Sequence, residues 1–256
     1  MKKEYQALPI VIDEEETAVL LHPEWLVVND AGTRARWFGA RQSWYQERFL
    51  QKRGCAVVAA ALAMAYASHK PQHISLYQPY QKADRLDGAV PSEHIFERQN
   101  FLGHMMDLVL YIRPALWGVT SKKLRTGIVR FARERGISLT TDIFKAGLVR
   151  KRNRKNFKRL VGFILDGLRV DMPVSMLIYS SGQIKEVRSK HWVTIVKIDA
   201  NTDHTQAIVT VSDHGREKSF SLDKWFYTSM PGGAFVSYHL EGLHRSKQPR
   251  ISQLNG

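Results

Sequence analysis

From Cys55 to Ala67 thirteen residues pass with no polar side chain other than the Tyr66 hydroxyl. Alanine, leucine and methionine dominate this run and it is apolar on every side, which predicts a helix buried all round over 55–68. "FLGHMMDLVLYI" (101–112) predicts another apolar helix. In "SKKLRTGIVRFARERG" Leu124, Ile128 and Phe131 recur at helical spacing, with Thr120 or Ser121 as the cap and Gly136 as the stop. A further helix is expected over 153–168. Near the start, "TAVLL" and "EWLVV" are strand-like, and Asn29 to Gly32 ("NDAG") is a turn signal. Residues 69–100, broken by Pro71, Pro79, Gly88 and Pro91, predict a long loop with one short helix.

The pattern changes after residue 170. "MPVSMLIYSSG", "KHWVTIVKIDA", "QAIVTVSDHG", "EKSFSLDKWF" and "GAFVSYHLEG" are short, rich in Val, Ile, Phe and Tyr, and bounded by turn residues. They predict an antiparallel sheet over about 172–241. Helices followed by strands place the chain in the α+β class. The expected organisation is one domain over 1–245, helical over about 42–168 and sheet over about 170–241, with a frayed tail at 246–256.

Composition changes this picture in two ways. The single cysteine excludes an intramolecular disulfide, and acids interrupt the basic N-terminal tip before any long apolar stretch. Together with an apolar run too short to span a bilayer, this predicts a cytoplasmic protein without a transmembrane segment. Net charge is +14 over 256 residues, and residues 121–160 hold fourteen Lys and Arg against Glu134 and Asp142. Two readings are open: a solvated helix surface, or a patch for an anionic partner such as nucleic acid, a lipid surface or an acidic protein.

The candidate chemistry starts at Cys55. A nucleophilic thiol needs an environment favouring the thiolate, a nearby imidazole, and a group that orients the imidazole. Cys55 follows Gly54 at a predicted helix N-terminus, with Lys52 and Arg53 adding positive potential. The alternative is a buried structural cysteine. His191 begins the strand "HWVTIVKI" and is placed to point from the sheet's end into a cleft. Asp213 ends the strand "VTVSD", which should pair with 192–198, so it emerges beside His191. Its alternative is a turn former in "SDHG". The order Cys, His, Asp and the 136-residue interval from Cys55 to His191 match the arrangement of papain-like enzymes. Other sites fail: there is no HExxH, no paired metal-ligand spacing, no phosphate-cradling glycine loop and no serine nucleophile elbow. Neither a metal nor a cofactor is expected.

"RGCAVVAAALAM", "MPVSMLIY", "KHWVTIVKI" and "VTVSDHG", in that order, resemble papain-like cysteine peptidases, above all the bacterial bacteriocin-processing (double-glycine leader) group. The matching pieces cover roughly 42–66 and 165–226. The resemblance implies a buried Cys-bearing helix against a C-terminal antiparallel sheet. It implies Cys55 as nucleophile, His191 as general base and acid, Asp213 as the orienting residue, and a peptide or protein substrate cleaved through a thioester. It also implies an oxyanion-stabilising glutamine before the cysteine, for which Gln42 and Gln46 are favoured over Gln51. Trp44 and Trp192 are candidates for the cleft wall, or core residues. Ala56 stands where the family commonly has glycine, which leaves open an inactive, papain-like binding module that uses the basic 121–160 surface.

Overall fold

The computed structural model describes residues 15–77, 96–147 and 152–240. The basic tip, most of the proline-broken loop, Arg150, Lys151 and the C-terminal tail expected to fray lie outside the described residues.

The strands are β1 (Glu15–Val19), β2 (Val27–Asp30), β3 (Ala35–Phe38), β4 (Phe96–Glu97), β5 (Leu139–Ala146), β6 (Val174–Ile178), β7 (His191–Asn201), β8 (Ala207–Asp213), β9 (Arg216–Ser221) and β10 (Gly233–Leu240). The helices are α1 (Arg48–Arg53), α2 (Cys55–Ser68), α3 (Arg98–Ile112), α4 (Ser121–Arg133), α5 (Arg154–Arg169) and α6 (Leu222–Thr228). The fold is α+β, with helices packed against an antiparallel sheet of order β5-β10-β6-β7-β8-β9. The eleven-residue β7 is its spine. The first half of β7 pairs with β6, and after an irregularity between Ile195 and Lys197 the second half pairs with β1.

Helix α2 packs against β7, β6, α3 and α4, and its residues from Ala59 to Ser68 are all buried. An all-apolar helix is stable only where every face is covered, and here sheet and helices supply the cover. A polar network ties its C-terminal end. The buried Asp171 carboxylate accepts hydrogen bonds from the Tyr66 hydroxyl and the Leu21 N–H, and pairs with Lys70 at 2.9 Å.

Helix caps follow the sequence closely. Thr120 accepts from the Lys123 N–H, and Gly136 has φ 73° just past α4; Asn153 caps α5. Four elements differ from the sequence reading: Pro23–Leu26, inside the strand-like stretch before β2, is a 3-10 turn, and β4 lies within the expected 69–100 loop. Strand β5 lies within the basic segment and joins the main sheet through β10. "EKSFSLDKWF" is not one strand: β9 ends at Ser221, whose hydroxyl accepts from the Lys224 N–H and starts α6. A serine two residues before an acid is a cap signal, and local capping wins over strand propensity there.

A small sheet, β3-β2-β4, closes against the β8–β9 turn. Phe38 N–H donates to the Gly215 carbonyl, and the Ser212 hydroxyl donates to the Phe38 carbonyl at 2.7 Å. Gly39 has φ 90°, and a β-carbon there would stand 2.1 Å from Ser212 Oγ. Only glycine permits this approach, which fixes the strand end that carries Asp213.

Candidate active site

Cys55 is the first residue of α2 and is half-buried. Helix α1 leads into it, and Gly54 makes the junction. A β-carbon on Gly54 would lie 2.6 Å from the Tyr45 ring and 2.7 Å from the Leu50 carbonyl oxygen. Gly54→Ala is therefore expected to destabilise the fold by about 1–3 kcal/mol, because the backbone oxygen cannot move aside. The shift of the urea midpoint measures it.

His191 opens β7 and Asp213 closes β8, and the register pairs Thr194 with Ser212 so that the two ends adjoin. His191 Nε2 is 2.8 Å from Asp213 Oδ1. The same imidazole lines one cleft with Cys55 and lies near enough for Cys55 to favour its charged form. With Nε2 engaged by the carboxylate, Nδ1 is the nitrogen left for sulfur. His191 is 9% exposed and Asp213 2% exposed. Burial opposes a charge on His191, but the Asp213 carboxylate and Cys55 outweigh it, and the imidazole pKa is raised to about 9. Burial likewise pushes the Asp213 carboxyl upward, yet His191 and Lys218 hold it well below the usual carboxylate range.

The sequence reading misses two neighbours. Lys218 Nζ lies 2.6 Å from Asp213 Oδ2 and also donates to the Glu186 carbonyl. His214 stacks on His191, centroids 4.8 Å apart and planes 3° from parallel. Burial, then the charge on His191, lowers the His214 pKa. The signal for Lys218 is present in "DHGREK". His214 and Gly215 have φ 51° and 74°, a two-residue hairpin turn that pairs Asp213 with Arg216. Lys218, two residues on, then shares the face of Asp213.

Gln42 is buried and lines the cleft together with Cys55, His191, Trp192 and His214. Its Nε2 donates to the Gln51 carbonyl at 2.6 Å. Gln51 in turn donates to the Tyr45 carbonyl, and Gln46 is exposed on the surface. Trp192 lines the cleft and its indole N–H donates to the Val119 carbonyl at 3.0 Å. Trp44 is not among the residues that line the cleft; it is buried, with the Arg98 guanidinium 5.6 Å from its ring. Ala56 is fully buried and does not line the cleft either, so its methyl group leaves the opening unchanged.

His191, Asp213 and His214 present ligand atoms within 4.8 Å of one another, the one cluster of metal-binding type among the described residues. Its carboxylate already holds a lysine ammonium on Oδ2, which opposes a second cation. Elsewhere, ion pairs of Arg130 with Glu134, Arg135 with Asp107 and Arg154 with Asp203 neutralise part of the basic segment. No helix among the described residues is long and apolar enough to cross a membrane.

No family model matches the chain, and no curated protein sequence matches it. Among solved structures it is similar to the peptidase domain of Streptococcus ComA, a bi-functional ABC transporter involved in a quorum-sensing pathway. That similarity has 14% identity and a TM-score of 0.33, over 73% of this chain and 92% of that one.

Proposed function

We propose that the chain is a papain-like cysteine peptidase or amidohydrolase that works through Cys55, His191 and Asp213. One observation carries the reading: a single buried imidazole bonds a carboxylate through Nε2 and lines the same cleft as the helix-N-terminal Cys55 side chain. A structural cysteine has no need of either partner.

In this reading His191 takes the thiol proton of Cys55 as the sulfur attacks the carbonyl carbon of an amide and forms a C–S bond. The electron pair of the C=O bond moves to oxygen. As the C–N bond breaks, His191 gives its proton to the departing amine, leaving a thioester. Neutral His191 then takes a proton from water, whose oxygen attacks the thioester. The carboxylic acid departs, and sulfur and imidazole return to their starting state. Asp213 holds the ring orientation and favours its charged form throughout. Lys218 holds Asp213 in turn.

Gln42, not Gln46, supplies the side-chain donor to the developing oxyanion. One of its two amide N–H groups is held by the Gln51 carbonyl, which aims the other. The Cys55 backbone N–H, in the first turn of α2, is the second donor. The substrate is a peptide or protein, and its carbonyl enters between Gln42 and His191.

The test is acylation by p-nitrophenyl acetate. The proposal expects a burst of nitrophenol stoichiometric with protein and an acetyl group on Cys55 by peptide mass mapping. Acetylation confined to lysines, with no burst, would refute it.

A further inference from the structure

Outside the cleft, the most exposed aromatic side chain among the described residues belongs to the turn that joins α3 to α4. The Gly118 N–H donates to the Ala115 carbonyl at 2.8 Å and Gly118 has φ 86°, so the turn is tight. At its tip Leu116 is 70% exposed and Trp117 is 98% exposed. Leu110 and Met106, one helical turn apart on α3, are also exposed. An apolar surface of this kind on a water-soluble fold marks an interaction site.

Cations flank the turn along the chain. Arg113, Lys122, Lys123 and Arg125 are all exposed, and none has an ion-pair partner among the described residues. The acids of α3 and of the α4 C-terminus are spoken for: Asp107 is paired with Arg135, and Glu134 with Arg130.

We infer that this turn, with the α4 N-terminal residues beside it, docks on an anionic lipid bilayer. Trp117 and Leu116 enter the boundary between headgroups and acyl chains, where an indole is most at home. Arg113, Lys122, Lys123 and Arg125 meet the negative headgroups. A nucleic acid would explain the cations but leave Leu116, Leu110 and Met106 without a partner. The indole of Trp192, a residue of the cleft wall, is tied to the Val119 carbonyl two residues beyond Trp117. Docking therefore sets the cleft beside the membrane surface. The lipid contact itself does not depend on the thiol chemistry.

The experiment is co-sedimentation of the full chain with phosphatidylcholine vesicles, with and without phosphatidylserine. The native chain is expected to partition onto the phosphatidylserine vesicles only. Trp117→Ser should weaken partitioning at least about tenfold, and neutralising Lys122 and Lys123 to glutamine should weaken it roughly fivefold per residue. Because these side chains are exposed, thermal melts of the variants should match the native chain. A native chain that stays in the supernatant overturns the inference. So does a Trp117→Ser chain that partitions like the native one, since charge alone would then hold it. RNA binding without vesicle binding assigns the face to nucleic acid and also overturns it. None of these outcomes bears on the nitrophenol burst, so the two proposals fail separately.

Discussion

His191→Ala is expected to slow acylation of Cys55 by roughly 10²–10⁴-fold, read as the nitrophenol burst rate at neutral pH. The imidazole has two jobs in the proposed cycle, and no neighbour is placed to take them over. His214 is the nearest substitute, stacked on His191. Its Nε2 lies 3.8 Å from Asp213 Oδ1, against 2.8 Å for His191 Nε2. The lowered pKa of His214 also keeps it from acting as the cation beside sulfur. His214→Ala is therefore the matched control, expected to lose less than about tenfold. Equal losses from the two variants would mean that the stack, and not a hydrogen-bonded base, supports the thiol.

Asp213→Asn should cost a similar factor and also change the shape of the pH profile. The sign follows from charge. The imidazole pKa is raised to about 9 because the Asp213 carboxylate and Cys55 outweigh the burial penalty. In the proposed cycle protonated His191 is the acid for the leaving group, so turnover should fall as pH rises through about 9. Removing the carboxylate leaves burial less opposed and strands the Lys218 ammonium near the ring. Both effects lower the imidazole pKa, and the alkaline limb moves down toward the ordinary value of about 6.5. The expected rate loss is roughly 10²–10⁴-fold, as when an orienting carboxylate is replaced in a hydrogen-bonded triad. An unchanged alkaline limb in Asp213→Asn would show that the carboxylate does not set the state of His191.

How much of this is legible in the sequence depends on how local the signal is. Helix α2 announces itself because an unbroken apolar run has few other places to go. The positions of His191 and Asp213 follow from two β-rich segments joined by a turn, since an antiparallel pair brings the start of one strand to the end of the next. Lys218 is harder to see: its approach to Asp213 depends on a two-residue turn with both residues at positive φ, and histidine is an uncommon choice there. Gln42 and Gln46 look equivalent along the chain. They separate only because Gln42 sits in a short helical turn that buries it, with the Gln51 carbonyl nine residues on to hold its amide. The aromatic residues near the site divide the same way. Trp192 alternates with His191 on a strand that borders the cleft, whereas Trp44 is drawn into the core beside Arg98. Strand β5 is hidden by composition, because its Thr, Ile and Phe residues lie in a segment dominated by charge. The Asp171 network joins residues more than a hundred positions apart, and no sequence window contains it.

The central claim is that His191 activates the Cys55 sulfur, and the rate of its alkylation by iodoacetamide at pH 6 tests this most directly. The chain has one cysteine, so every label reports that sulfur. A free thiol, ionised near 8.5, is almost wholly protonated at pH 6 and reacts slowly. The account predicts that native Cys55 reacts at least about tenfold faster than free cysteine, and that His191→Ala erases the difference. A native rate no faster than free cysteine, unchanged by that substitution, would contradict it.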